Sequence, residues 1–140
     1  MSYYRRDEVR IRLRKLKYLY GARRDRSTPR CYLGGPMTGL PEFNLHAFNT
    51  VAGIIRSVGW EVFNPVEGDA EKGIVLDGTQ GNETFDFRGA MATDLAYIAE
   101  HADVVWFMPG WEESKGAQLE HYVATDLGIP CYSYPGMRRI

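Results

Sequence analysis

Val104-Val105-Trp106-Phe107-Met108-Pro109-Gly110 is a continuous apolar run closed by a pair of chain breakers. A run without polar alternation reads as a strand covered on both faces, the kind found inside parallel sheets. The segments on either side agree. Upstream, Met91, Leu95, Ile98 and Ala102 recur at helical spacing and predict a helix over 89–102. Downstream, Ser114 is a good N-cap for a helix running to Asp126 or Leu127, Gly128 closes it, and 129–134 reads as another strand.

The same alternation holds closer to the N-terminus. Cys31-Tyr32-Leu33 is a short strand that runs into Gly34-Gly35-Pro36-Met37-Thr38-Gly39, a loop whose glycines let backbone approach a ligand. A helix over 44–58 follows, with Phe48, Val51, Ala52, Ile55 and Val58 on one stripe and Gly59 as its stop. Residues 60–63 form a strand, and Asn64-Pro65 ends it. The order β-α-β-α-β-α-β predicts an α/β fold: a doubly wound, Rossmann-like or flavodoxin-like parallel sheet of strand order about 2-1-3-4, with helices on both faces. Such a sheet places its ligand crevice at the carboxyl ends of the strands.

With 140 residues at 15.9 kDa, 44% of them apolar and 25% charged, the composition is that of one globular domain. No apolar stretch is long enough for a membrane span and no secretory leader is evident, so the expected location is the cytoplasm, with no membrane partner. Cys31 and Cys131 each fall on a predicted strand and read as buried free thiols. The net charge of −1 conceals an asymmetry. Residues 1–30 hold eleven Arg and Lys against Asp7, Glu8 and Asp25, a net +8, which leaves −9 for 31–140. Within this basic arm Val9, Leu13, Leu16 and Tyr20 recur as in a helix, whereas Val9, Ile11 and Leu13 alternate with arginines as in a strand; the helix is favoured. Residues 22–30 read as a linker, so the division is an arm over 1–30 and a domain over 31–140. The arm suits the acidic face of a neighbouring subunit, giving a homo-oligomer, or nucleic acid. The first is preferred.

Two carboxylates interrupt apolar helical rows. Asp94 lies between Met91 and Ile98, and Glu120 lies in a row with Ala117, Ala124 and Leu127. Both sit in the first half of helices that run antiparallel to the strands, and so both flank the carboxyl edge of the sheet. Buried carboxyls carry shifted pKa values, the requirement for acid, base or nucleophile work. The plainer alternative pairs them with Arg56, Arg88 or Lys115. For Glu120 the dipole of its helix favours ionisation and burial opposes it; the expected balance is a charged group at neutral pH. Asp103 opens its strand at the opposite edge and suits a turn or cap. His46, His101 and His121 have no metal-ligand spacing, so no metal is expected. Ser114-Lys115-Gly116 opens a helix whose free N–H groups suit an anion. The irregular stretch 68–85 is expected to act as a lid over the base end of the crevice and to select the base, with Trp111 stacking on the base or packing within the fold.

Tyr32-Leu33-Gly34-Gly35-Pro36-Met37-Thr38-Gly39, Phe43-Asn44, Phe63-Asn64-Pro65, Asp94-Leu95, Ala102-Asp103, Pro109-Gly110-Trp111 and Ser114-Lys115-Gly116-Ala117-Gln118-Leu119-Glu120 together resemble a domain of unknown function common in phages and bacteria. More remotely they resemble the nucleoside 2-deoxyribosyltransferases and the 2'-deoxynucleoside 5'-phosphate N-hydrolases. The resemblance covers about 31–133. It implies cleavage or transfer at the N-glycosidic bond of a deoxynucleoside or deoxynucleotide without a cofactor. It further implies Glu120 as nucleophile, Asp94 as its support and that of the leaving base, and Tyr32 close to the reacting group. Gly34, Gly35, Pro36, Met37, Thr38, Gly39, Asn44, Asn64, Trp111, Ser114 and Gly116 are the implied substrate contacts. Pro36 departs from a phosphate-cradling loop because it has no N–H, and residues 1–30 have no counterpart in the family pattern. The rival expectation is a non-catalytic nucleotide-binding or phage-associated interaction protein that uses the arm for assembly.

Overall fold

The computed structural model describes residues 6–23, 28–67 and 86–140. In chain order they form α1 (Arg6–Arg23), β1 (Arg30–Gly34), a 3-10 turn (Pro41–Asn44), α2 (Leu45–Ser57), β2 (Glu61–Phe63), α3 (Phe87–Glu100), β3 (Val104–Phe107), a second 3-10 turn (Trp111–Glu113), α4 (Lys115–Asp126), β4 (Cys131–Ser133) and β5 (Arg138–Arg139). The expected lid, 68–85, lies outside the described residues.

The sheet has five strands in the order β2-β1-β3-β4-β5. β1 pairs in parallel with β2 and β3, and β3 with β4, while β5 is antiparallel to β4. The sheet is therefore mixed, and the expectation of an all-parallel doubly wound sheet requires correction at this edge. Two consecutive arginines carry no hydrophobic signal. They form a strand because the turn after Tyr134 folds the chain back, bringing Arg139 opposite Tyr132 and Arg138 opposite Ser133.

Strand alternation divides the core in two. Cys31, Leu33, Val104 and Trp106 face one side, where they pack with Phe48, Ala52 and Ile55 of α2. Tyr32, Val105 and Phe107 face the other, against Ile98 of α3 and Ala117 and Ala124 of α4. β3, with all four residues buried, is the covered strand its composition predicts.

The N-terminal segment is helical as favoured, and it packs on the body of its own chain. Val9, Leu13 and Tyr20 join the α2-side cluster, and the indole N–H of Trp60 donates to the carbonyl of Leu13 at 3.1 Å. Trp60 in turn meets Trp106 edge to face, with ring centroids 4.5 Å apart.

One boundary shifts for a local reason. α3 starts two residues before its predicted beginning because Asp86 caps it, its carboxylate accepting the Gly89 N–H at 2.9 Å. Ser114 caps α4 as expected, accepting the Ala117 N–H at 3.3 Å. Asp103 clasps the amino edge of the sheet: it accepts the Arg30 N–H at 2.8 Å, and its own N–H donates to the Arg30 carbonyl at 2.8 Å. Cys31 and Cys131 are buried free thiols. Among the described residues no helix is long and apolar enough to cross a membrane.

Candidate active site

The parallel strands end where β1 passes into Gly34 and Gly35, and the N-terminal halves of α3 and α4 flank that edge. Glu120 lies on the inward row of α4 between the buried Ala117 and Ala124 and is itself only 4% exposed. Leu127 does not continue that row, as expected of it, but sits at the helix end and is 55% exposed. From β1, Tyr32 projects to the same side of the sheet and is 1% exposed. Its hydroxyl donates to Glu120 Oε2. Asp94, half-buried on α3, acts on the same tyrosine through its charge and a side-chain hydrogen bond.

This meeting of strand and helix depends on a missing side chain. A Cβ on Gly34 would stand 2.8 Å from the Phe107 ring and 3.3 Å from Glu120 Oε1. Only glycine lets the strand pass this close to both groups.

Burial dominates the electrostatics. It pushes the Glu120 carboxyl well above the ordinary carboxylate range, and the nearby Asp94 charge pushes the same way, against the stabilising hydrogen bond from Tyr32. The helix dipole favours ionisation of Glu120 from the second turn, and burial at 4% exposure opposes it, so the carboxyl titrates above the ordinary range. Burial also raises the Tyr32 hydroxyl well above its usual value, with the Glu120 and Asp94 charges adding to the rise. Tyr32 therefore stays a proton donor throughout the physiological range.

Tyr32, Asp94 and Glu120 line a narrow cavity of about 60 Å³ with Gly34, Gly35, Met37, Thr38, Ser114 and Gly116. It adjoins a wider groove of about 720 Å³ formed by Pro36, Gly39, Pro109, Gly110 and Lys115, and the two share Met37, Thr38, Phe87, Ser114 and Gly116. Most of the expected site residues thus converge.

Three lie elsewhere. Asn44 stands behind the glycine loop, its Nδ2 donating to the Pro36 carbonyl at 3.0 Å. Asn64 is buried and ties the end of β2, donating to Asn49 Oδ1 at 3.0 Å and accepting the Val66 N–H at 3.2 Å. Trp111 packs within the fold, 5.0 Å from the Phe107 ring and 4.7 Å from His121.

Sequence reasoning did not single out Phe87, Ala90 and Met91 from α3, nor Phe48 and Pro65, all of which line the cavity. A usable signal exists for two of them, because Phe87, Met91, Asp94 and Ile98 make one helical row. Arg56, a candidate counter-ion for the acids, instead engages Glu67 at 2.6 and 2.8 Å. Lys115 sits over the Phe87 ring, 5.1 Å from its centroid. Among the described residues no group of His, Cys, Asp or Glu is arranged to hold a metal ion.

The arrangement provides a buried carboxyl held by a tyrosine, a second acid within its field, and a groove that runs past a helix N-terminus. No curated protein is significantly similar to the chain. The family model of a domain of unknown function, DUF4406, matches residues 29–133, well over half of the chain and all of β1 to β4, so the protein belongs to that family.

Proposed function

We propose that the protein cleaves or transfers at the N-glycosidic bond of a deoxynucleoside or deoxynucleoside 5'-monophosphate. The observation that carries this reading is the Tyr32–Glu120–Asp94 group lining a cavity together with Ser114 and Gly116 at the N-terminus of α4. The parallel strands β2-β1-β3-β4 are read as a doubly wound core with its ligand crevice at this edge, and the working compartment as the cytoplasm.

Glycosidic cleavage builds positive charge at the anomeric carbon, and a carboxylate close by stabilises it and can bond to it. Ionised Glu120 attacks C1' with one oxygen while Tyr32 holds the other. The C1'–N bond breaks, its electron pair leaves with the base, and Asp94, having taken up the proton that Glu120 gives up on ionising, passes it to the base. The resulting glycosyl ester is then opened by water, giving hydrolysis, or by a second base, giving transfer. The small cavity suits the sugar. The wider groove suits the rest of the nucleotide, with the Ser114 and Gly116 backbone near a 5'-substituent. No cofactor is required.

A second reading follows from the raised Glu120 pKa. A carboxyl that kept its proton would be a hydrogen-bond donor and not a nucleophile, which fits a protein that binds a nucleotide without reacting. Incubation with a panel of deoxynucleosides and their monophosphates, read by chromatography for free base or exchanged base, decides between the two. Release or exchange supports the enzyme. Thermal stabilisation by a nucleotide with neither product assigns the binding protein.

A further inference from the structure

Where α1 crosses the body of the protein it does not close completely on it. Between its first turn, α2 and the turn after β4 lies a cavity of about 550 Å³, within the range of pockets that hold a small organic ligand. Val9, Val51, Ile54 and Met108 of its lining belong to the α2-side cluster, whereas Tyr32 and Ala117 beside Glu120 belong to the opposite one. It shares no described lining residue with the Tyr32–Glu120 cavity and one, Pro109, with the wider groove. The cavity is thus a separate place in the fold, and nothing about it depends on the glycosidic reading. Its floor follows from the sequence, since Ala47, Val51 and Ile54 fall at i, i+4 and i+7 of α2. Val51 and Ile54 are partly buried against the core and keep apolar surface turned to the cavity.

The charge at this cavity has one sign. Arg6 lines it, and among the described residues no acid does. Asp7 and Glu8 occupy the same turn of α1, but they are rotated about 100° and 200° round the helix from Arg6, while Arg10 returns to within about 40° of it. The influence of both arginines is felt at Tyr134, which lines the cavity from the other side. Burial lifts the Tyr134 hydroxyl above its usual range, and the charges of Arg10 and Arg6 act against that rise. Tyr134 therefore keeps its proton at neutral pH and remains a donor. Among the described residues neither Arg6 nor Arg10 is held in an ion pair.

We propose that this cavity binds a small apolar monocarboxylate, its chain laid on the α2 row and its carboxylate turned to Arg6. The planar fork of a guanidinium matches the two oxygens of a carboxylate, and an unpaired arginine at the edge of an apolar cavity is placed to make that pair. The walls supply the larger share of the contact, because each methylene taken from water onto Val51, Ile54 and Met108 adds to affinity. An uncharged ligand leaves Arg6 unused. A dianion such as a phosphate ester brings more charge than the single lining cation offsets.

The test is a titration of the isotope-labelled full chain, followed by amide NMR, with octanoate and with octanamide, which has the same chain and no charge. Octanoate is expected to shift the amides of Val51, Ile54, Met108 and Tyr134 saturably and to bind about fivefold more tightly than octanamide. Arg6→Gln should remove that preference, weakening octanoate about fivefold and leaving octanamide unchanged. Ala47→Phe puts a ring into the cavity and should weaken both ligands about fivefold or more. Thermal melts establish that the variants are folded, and Arg6, which is exposed, keeps the test decisive should Ala47→Phe not fold. Octanoate that shifts none of these amides, binds no more tightly than octanamide, or binds Arg6→Gln as well as the parent overturns the proposal. Shifts at the same amides that grow with protein concentration in the absence of ligand assign the cavity to a second copy, and overturn it as well.

Discussion

The Tyr32 hydroxyl donates to Glu120 Oε2 across the seam between β1 and α4, and the two residues are 1% and 4% exposed. One oxygen of the carboxyl is thereby fixed, and the other, Oε1, lies beside the backbone of Gly34 at the cavity. A structural carboxyl would gain nothing from this placement, because burying it costs several kcal/mol unless it is fully paired. Glu120→Gln keeps the shape and removes the nucleophile. It should lower turnover of a deoxynucleotide by about 10³-fold or more while leaving nucleotide binding within a few-fold of the parent. Single-turnover release of base, followed by chromatography, measures it. A variant within about tenfold of the parent rate would transfer the nucleophilic role to Asp94.

The raised Glu120 pKa sets the direction of two pH profiles. If the ionised form reacts, kcat/KM should rise with pH, with a midpoint well above the ordinary carboxylate range. Tyr32→Phe removes the hydrogen bond that favours ionisation, so the midpoint should move to still higher pH. Stability runs the other way. A group whose folded pKa exceeds its unfolded one contributes fully below the unfolded value, and that contribution is lost as pH rises towards the folded value. Thermal melts should therefore fall from about pH 4 upward through the Glu120 titration, and Glu120→Gln should flatten this decline. A parent whose melting temperature rises over the same interval, by an amount the variant does not alter, would contradict the buried-acid assignment.

Gly34→Ala tests the close approach of strand to helix. The added methyl meets the Phe107 ring at 2.8 Å and crowds Glu120 Oε1 at 3.3 Å. Phe107 is fully buried and cannot swing into solvent. Overpacking of this kind costs about 1–3 kcal/mol, which denaturant unfolding would report as a lower midpoint at an unchanged slope. Activity should fall further than stability, because the methyl displaces the carboxyl as well as the ring.

The parts of the molecule that were legible in the sequence are those where one periodicity decides. The unbroken apolar run of β3, the Ser114 cap and the row that carries Glu120 each follow from spacing alone. β5 was invisible because Arg138 and Arg139 are held by backbone pairing with β4, which leaves no mark on residue type. Tyr32 came from resemblance, although strand alternation already sets it on the side of Val105 and Phe107, the side that α4 covers. Asn64 and Asn44 carry the same residue type whether they touch a ligand or fasten a turn, and only their partners, Asn49 and the Pro36 carbonyl, separate the two roles. The upward shift of the Glu120 pKa is hard to read in the sequence for a related reason, since a helix dipole follows from position but the depth of burial depends on what other elements place around it.

The attachment of α1 to the body rests most heavily on Leu13. Its side chain is fully buried, and its carbonyl accepts the Trp60 indole N–H that positions Trp60 against Trp106. Leu13→Ala should cost about 2–5 kcal/mol, because α1 cannot close the cavity without pulling away from Trp60. Ile11→Ala, two residues away on the outward face, should stay within about 0.5 kcal/mol of the parent. Chemical unfolding followed by tryptophan fluorescence reads both, since Trp60 and Trp106 report the environment beneath the helix. Equal, negligible effects of the two substitutions would mean that α1 contributes no stability to the core on which it lies.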